Sequence, residues 1–314
     1  MNATFQRNRL HHGLSRLNLF WALSRTPHGL LDMTTPAFGA LLWLGAFPPA
    51  EVVLLGALTT FAGYTSVYAL NDVVDARADR EKLERCGSGD CEHYLDAVLL
   101  RHPIAQGALS FAEGLAWAGA WAVVALLGAY ALDPVCAVVF LAGCAFEILY
   151  CLLWKVSHLR VLVSGIVKTS GGVAAVFAVD PHPSALYVLL LFSCLFFWEI
   201  GGQNVPADWT DMEEDRRLHA RTVPLRLGPG RAADVALFSS MLALTANFPL
   251  FLLAPVAKGF FFASVALAVG LLLLLFPVLR LRRHRDRFQA MALFNKASYY
   301  PPALLCVVVV SLCF

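Results

Sequence analysis

Charge is what this sequence has least of. Only 15% of its 314 residues are charged and 59% are hydrophobic, whereas a soluble domain carries about 25% charged residues. That scarcity excludes an ordinary soluble globule and implies a polytopic membrane protein. An excess of one sign is missing too: the net charge is +2, so no nucleic-acid partner is indicated, and the positions of the charges say more than their sum. A cleavable leader is not expected, because no small-x-small site follows a short apolar core. Residues 1–15 read instead as a basic cytoplasmic arm. Nor do the eight cysteines imply a disulfide framework. Cys136, Cys144, Cys151, Cys194, Cys306 and Cys313 fall within or beside apolar runs, where cysteine packs as a small hydrophobe. Cys86, Cys91 and His93 are loosely spaced and lack an evident fourth ligand, so a reduced, solvated loop is expected there rather than a zinc site.

What is present in abundance is apolar sequence. Runs of about 20 residues, the length that crosses a bilayer, fall near 18–46, 51–71, 110–131, 134–154, 161–179, 184–204, 232–253, 259–280 and 297–314. Nine membrane helices are therefore expected, the first interrupted by Arg25, Pro27, Asp32 and Pro36. Basic residues gather in alternate connections. They lie before the first span (Arg7, Arg9, Arg16), and after the second, fourth, sixth and eighth, including the run from Arg280 to Arg287. On the other side only Lys258 is found. Because Lys and Arg accumulate on the cytoplasmic side, the N-terminus is expected inside and the C-terminus outside.

Two short acidic stretches end apolar runs on the expected cytoplasmic side. One contains Asn71, Asp72, Asp75, Asp79 and Arg80, the other Asp208, Asp211, Asp215 and Arg216. In each, the aspartates sit at offsets of zero, three and seven. At about 100° per residue these offsets keep three carboxylates within roughly a 60° arc of one helix face. A carboxylate in hydrocarbon costs about 2.5–3.5 kcal/mol even on lenient scales, so the stripes face a polar cavity. Brought together they repel each other unless a hard divalent cation with oxygen ligands lies between them. Glu213 and Glu214 fall off the aspartate face and are expected to be solvated.

The two stretches belong to an internal repeat. Each is followed by proline and glycine in the same spacing, Pro103-Ile104-Ala105-Gln106-Gly107 and Pro224-Leu225-Arg226-Leu227-Gly228. The units lie four spans apart and so keep the same membrane direction, unlike inverted transporter repeats. An all-α protein of two four-helix pseudo-repeats plus a ninth helix follows. Residues 75–108 and 205–231 are expected to form cytoplasmic cap loops over one domain spanning 1–314.

With both acidic stretches, the Ser24-Arg25-Thr26-Pro27-His28 segment, Leu149-Tyr150 followed by Lys155, and Arg221-Thr222-Val223-Pro224, the chain resembles the UbiA-type intramembrane prenyltransferases over nearly its whole length. It departs from them at His219-Ala220, at Arg101-His102-Pro103, where arginine and proline are often adjacent, and in a longer Cys86–Leu100 loop. The resemblance implies a helical bundle around a central cavity, with two magnesium ions binding the diphosphate of an isoprenoid substrate. The metal-ligand candidates are Asn71, Asp72, Asp75, Asp79, Asp208, Asp211 and Asp215. Arg25, Tyr150, Lys155, Lys168 and Arg221 are candidates for holding the departing diphosphate. Asp75, Asp79, Asp211, Asp215 and Lys168 are the residues expected to carry catalysis.

Two roles stay open for Lys168 inside the fifth span, a substrate contact or a structural ion pair. Tyr150 either donates to the diphosphate or anchors its helix at the interface. Glu199 either orients the acceptor or acts as a base, or pairs with another helix. The reaction implied is magnesium-dependent transfer of a prenyl or polyprenyl group to a membrane-associated acceptor. An aromatic acceptor on a ubiquinone or menaquinone pathway is expected. The alternatives are a phosphoglycerol lipid, a phosphoribose, a tetrapyrrole or cyclisation without an acceptor. A cation-coupled transporter is the remote reading, since it places acids near the midplane on broken helices rather than at two helix ends.

Overall fold

A computed structural model describes residues 16–86, 99–255 and 259–313, and all regular structure among them is helical. Cys91 and His93 lie outside the described residues, as does the 1–15 arm. The first expected span is three short helices, α1 (Arg16–Leu23), α2 (Thr26–Asp32) and α3 (Thr34–Leu44). The break after α1 falls at Arg25, whose φ of 44° and ψ of 46° are left-handed, a conformation that costs a non-glycine residue energy and recurs at functional sites. Pro27 then sits in the first turn of α2, where its missing N–H is not needed.

Eight further helical stretches among the described residues are long and apolar enough to cross a membrane. They begin with α4 (Ala50–Cys86), α5 (Phe111–Leu132), α6 (Pro134–Leu152), α7 (Arg160–Val179) and α8 (Ala185–Trp198). Their ends follow local chemistry. Ser110 and Glu113 form a reciprocal cap at the start of α5, with Ser110 N donating to Glu113 Oε2 at 2.8 Å and Glu113 N donating to Ser110 Oγ at 3.2 Å. Asp133 caps α6 by accepting from Val135 N at 2.7 Å, ahead of Pro134 in the first turn.

After α8 the chain enters a π-helical segment, Glu199–Asn204, and then two short helices, α9 (Val205–Thr210) and α10 (Met212–Arg217). The second aspartate stretch is therefore not one unbroken helical stripe: Asp211, at φ −95° and ψ 5°, separates α9 from α10. Helix α11 (Val223–Leu253) follows. Gly201 of the π segment has to be glycine, because a Cβ there would lie 2.7 Å from the Ala236 carbonyl of α11. The repeat is visible in the backbone. Gly107 and Gly228, the two glycines in matching positions, are both left-handed, at φ 75° and 80°.

The chain ends with α12 (Gly259–Gly270), a π-helical Leu271–Leu275, α13 (Phe276–His284), α14 (Arg287–Ser298) and α15 (Tyr300–Ser311). The last span begins at Arg287, ten residues before the expected 297. Its start is set by Asp286, whose Oδ1 accepts from Gln289 N at 2.7 Å. The basic run is thus divided: Arg280–His284 finishes α13, and Arg287 opens α14.

The larger core lies in the C-terminal half, around Trp198, Tyr187, Tyr300 and Phe251. Trp198 Nε1 donates to the Ala297 carbonyl at 2.9 Å, tying α8 to α14. Outward-facing Leu54, Leu127, Val138, Leu189, Phe238 and Leu272 are all exposed. Large apolar side chains exposed on so many helices are a liability in water and suit lipid, and with eight helical stretches long and apolar enough to cross a membrane the protein is an integral membrane protein.

Candidate active site

A cavity of about 450 Å³ runs between the helices, with carboxylates and cations at one end and small apolar residues at the other. The long helix α4 connects the two. Asn71, Asp72, Asp75 and Asp79 line the polar end, and Gly63, Thr59 and Gly56 line the wall progressively further away. Gly143 and Phe140 of α6 and Gly171 and Ala175 of α7 face the same space.

The first stripe is held from several directions. Asn71 Nδ2 donates to Glu147 Oε1 at 2.6 Å, and its Oδ1 accepts from Arg25 Nη2 at 3.1 Å. His102 Nδ1 lies 2.8 Å from both Asp72 Oδ1 and Asp79 Oδ2. The second stripe meets its own cations: Arg160 is 3.5 Å from Asp208, Arg101 3.4 Å from Asp211, and Lys82 3.8 Å from Asp211 and 3.3 Å from Asp215. Asp208 and Asp211 line the cavity with the first stripe, whereas Asp215 is buried just behind, against Lys82.

The electrostatics of the cap follow from these contacts. Burial alone would lower the proton affinity of His102, but the carboxylates of Asp79 and Asp72 outweigh it and raise the imidazole above its ordinary range. Burial pushes the Asp211 carboxyl up, yet Lys82, Arg101 and His102 together hold it below the usual carboxylate range. At Asp215 burial outweighs Lys82 and the carboxyl is raised.

The residues fit a hard divalent cation. Oδ2 of Asp72 and Oδ2 of Asp208 are buried and have no hydrogen-bond partner among the described residues, a cost that a ligand would remove. The donors are carboxylate oxygens with one amide, the set that magnesium takes. Ligand atoms of Asp72, Asp79 and His102 lie within 4.8 Å of one another.

The candidates for holding the diphosphate separate into two groups. Arg25, Tyr150 and Lys168 line the cavity. Lys168 is both an ion pair and a cavity residue: its Nζ donates to Asp32 and, at 2.6 Å, to Tyr68 Oη. Tyr68 Oη also donates to Asp32. Tyr150 Oη accepts from Arg160 Nη2 at 2.6 Å and from Asn204 Nδ2 at 2.9 Å, and the Arg160 guanidinium lies 4.1 Å from the Tyr150 ring. Lys155 and Arg221 are exposed and do not line the cavity. Lys155 Nζ pairs with Glu81 at 2.7 Å, and Arg221 Nη1 donates to the Val156 carbonyl at 3.1 Å.

Ionisable residues that the sequence reading did not place at the site also join it, among them Asp32, Lys82, Arg101, His102, Glu147 and Arg160. Lys82 had a signal, since it follows Asp79 by three positions and so continues the aspartate face of α4. His102 was visible only as a departure from the related pattern. Arg160 read as an ordinary basic loop residue.

Comparison with known proteins gives one consistent result. The sequence pattern of the UbiA prenyltransferase family matches residues 33–298. A digeranylgeranylglyceryl phosphate synthase from Thermococcus gammatolerans is 24% identical over 271 residues, covering 86% of this chain and 89% of that protein. The apo structure of a UbiA homologue from Aeropyrum pernix K1 has a TM-score of 0.72 at 20% identity, covering 90% of this chain and 97% of that one. A UbiA homologue from Archaeoglobus fulgidus, solved bound to DMAPP and Mg2+, has a TM-score of 0.66 at 16% identity, covering 91% and 99%.

Proposed function

The chain belongs to the UbiA prenyltransferase family, and from that premise we propose that it transfers a prenyl group from an isoprenoid diphosphate, with magnesium, to the hydroxyl of a glycerophosphate-type lipid. One observation carries the reading: two carboxylate stripes, with unpartnered buried oxygens on Asp72 and Asp208, face each other at the head of a channel walled by small and apolar residues. A charged diphosphate and a long hydrocarbon tail are the two halves of a ligand that fits such a space.

The residues that would hold magnesium are Asn71, Asp72, Asp75 and Asp79 on one side and Asp208, Asp211 and Asp215 on the other. When bound, magnesium offsets the repulsion between these carboxylates and a diphosphate and improves diphosphate as a leaving group. Arg25, Tyr150 and Lys168, together with Arg160, Arg101 and Lys82, are placed to donate to diphosphate oxygens as the allylic carbon–oxygen bond ionises. The apolar walls hold the tail and keep water from the ionised carbon.

The acceptor departs from the sequence expectation. The Thermococcus gammatolerans relative is named for a glyceryl phosphate product, which supports a glycerol-type acceptor over the expected aromatic one, over phosphoribose and over cyclisation. The distribution of Lys and Arg supports a cytoplasmic N-terminus and cavity mouth, with the C-terminus on the opposite side.

The test is turnover by the full chain in lipid, with geranylgeranyl diphosphate as donor and either a monoprenylated glycerophosphate or a phenolic acid as acceptor. Magnesium-dependent label transfer to the glycerophosphate, lost in Asp75→Ala and Asp211→Ala, is the expected result. Transfer to the phenolic acid alone would return the acceptor to the aromatic class.

A further inference from the structure

Below the carboxylate stripes, the cavity wall contains a second polar group of side chains built on the Glu199–Asn204 π segment. Such segments are uncommon and concentrate at functional sites. This one brings Glu199, Gln203 and Asn204 to the cavity wall, its last residue one helical turn before Asp208. Glu199 is 3% exposed. Its Oε1 accepts from Ser164 Oγ at 2.5 Å, whereas its Oε2 has no hydrogen-bond partner among the described residues. Asn204 Oδ1, on the same segment, is also buried without one.

These two oxygens are tied back to the second stripe. Asn204 Nδ2 donates to Ser164 Oγ at 3.1 Å and to Tyr150 Oη at 2.9 Å. Tyr150 Oη accepts from Arg160, which lies 3.5 Å from Asp208. A continuous set of polar contacts therefore fixes Glu199 relative to the place where the diphosphate would leave. The chemistry of the vacancy is specific. A carboxylate oxygen and an amide oxygen accept hydrogen bonds, so the group they lack is a donor. Lys168 nearby is already engaged by Asp32 and Tyr68, and Glu147 adds a further acid to the cavity wall. A hydroxyl donor placed between Glu199 Oε2 and Asn204 Oδ1 finds two acceptors.

We infer that Glu199 binds the reacting hydroxyl of the acceptor and takes its proton, an inference that rests on the glycerol-type reading above. The acceptor oxygen forms a bond to the allylic carbon as that carbon's bond to diphosphate breaks. The electron pair leaves with diphosphate, and the hydroxyl proton goes to Oε2 of Glu199. The product is an ether, and no oxidant or reductant is needed. Ser164 and Asn204 are positioning residues in this scheme.

The experiment uses full-length Glu199→Gln and Ser164→Ala in lipid nanodiscs. Magnesium-dependent binding of geranylgeranyl diphosphate is measured by calorimetry, and transfer to a monoprenylated glycerophosphate by label. For Glu199→Gln, donor affinity within twofold of wild type and kcat for transfer at least 100-fold lower are expected. Ser164→Ala, which keeps the carboxylate but frees it to rotate, is expected to lose about tenfold in kcat, again with donor binding retained. Transfer by Glu199→Gln within twofold of wild type would overturn the inference, as would loss of donor binding in step with loss of transfer, which marks a structural role. If wild type binds no donor and transfers to neither acceptor, the function proposed above fails with it; if wild type transfers and Glu199→Gln matches it, only the role of Glu199 fails.

Discussion

His102 Nδ1 lies 2.8 Å from Asp72 Oδ1 and, with Asp79 Oδ2 at the same distance, inserts a cap-loop imidazole between two carboxylates of the first stripe. His102 adopts a left-handed backbone, φ 51°, to reach them. The residue that separates Arg101 from Pro103 is thus what joins the connection between α4 and α5 to the aspartate face.

Magnesium prefers oxygen to imidazole, so an imidazole bonded to Asp72 Oδ1 and Asp79 Oδ2 would compete with it for two of the carboxylate oxygens. His102→Ala is expected to bind magnesium about fivefold more tightly, ~1 kcal/mol, while losing thermal stability in the absence of metal. Calorimetric titration and melting with and without magnesium measure both. Weaker magnesium binding in the variant would identify the imidazole as a ligand instead.

Arg160 is buried against Asp208 and packs over Tyr150. Removing one partner of a buried pair costs about 3–5 kcal/mol. Arg160→Met is expected to unfold more readily by that order, and Arg160→Lys to recover only part of the loss because an ammonium cannot both stack on the ring and reach the carboxylate. Urea unfolding in detergent reads the difference.

Lys155 and Arg221 lie outside the cavity. Alanine at either position is expected to change the donor KM less than twofold. A tenfold rise would mean that the cap closes over the diphosphate in a way that brings these side chains inward.

Gly63 lines the cavity twelve residues before Asp75 on α4, about 18 Å along the helix axis. A Cβ there would make ordinary contact with Phe140 at 3.7 Å, so a larger side chain extends into the tail channel rather than into the core. Gly63→Leu is expected to spare a short donor such as dimethylallyl diphosphate and to reduce kcat/KM for geranylgeranyl diphosphate at least tenfold. Equal loss for both donors would place the tail elsewhere.

Much of the candidate site is legible in the sequence. Offsets of zero, three and seven place Asp72, Asp75 and Asp79 on one face because helix geometry is local. The matched Pro and Gly after each stretch became matched left-handed turns at Gly107 and Gly228. The second stripe is less legible: Asp208 and Asp211 line the cavity with Asp215 just behind, but through a π segment and a break at Asp211 that periodicity does not reveal. The last span was placed late because Gln289, Asn295 and Lys296 dilute its apolar pattern, while Asp286 supplies a cap that outweighs them.

Membrane class, the two acidic stripes and the demand for a cation follow from composition and spacing, since each depends on neighbours within a turn or two of helix. Which cation meets which carboxylate does not. Asp32 and Lys168 are 136 positions apart, and Arg101 and Asp211 are 110 apart. Their pairing depends on how helices pack across the bundle, and a buried charge takes whichever opposite charge the packing brings within reach. For the same reason the unpartnered oxygen of Glu199 has no signature in the chain: an unmet hydrogen bond exists only once every other neighbour is in place.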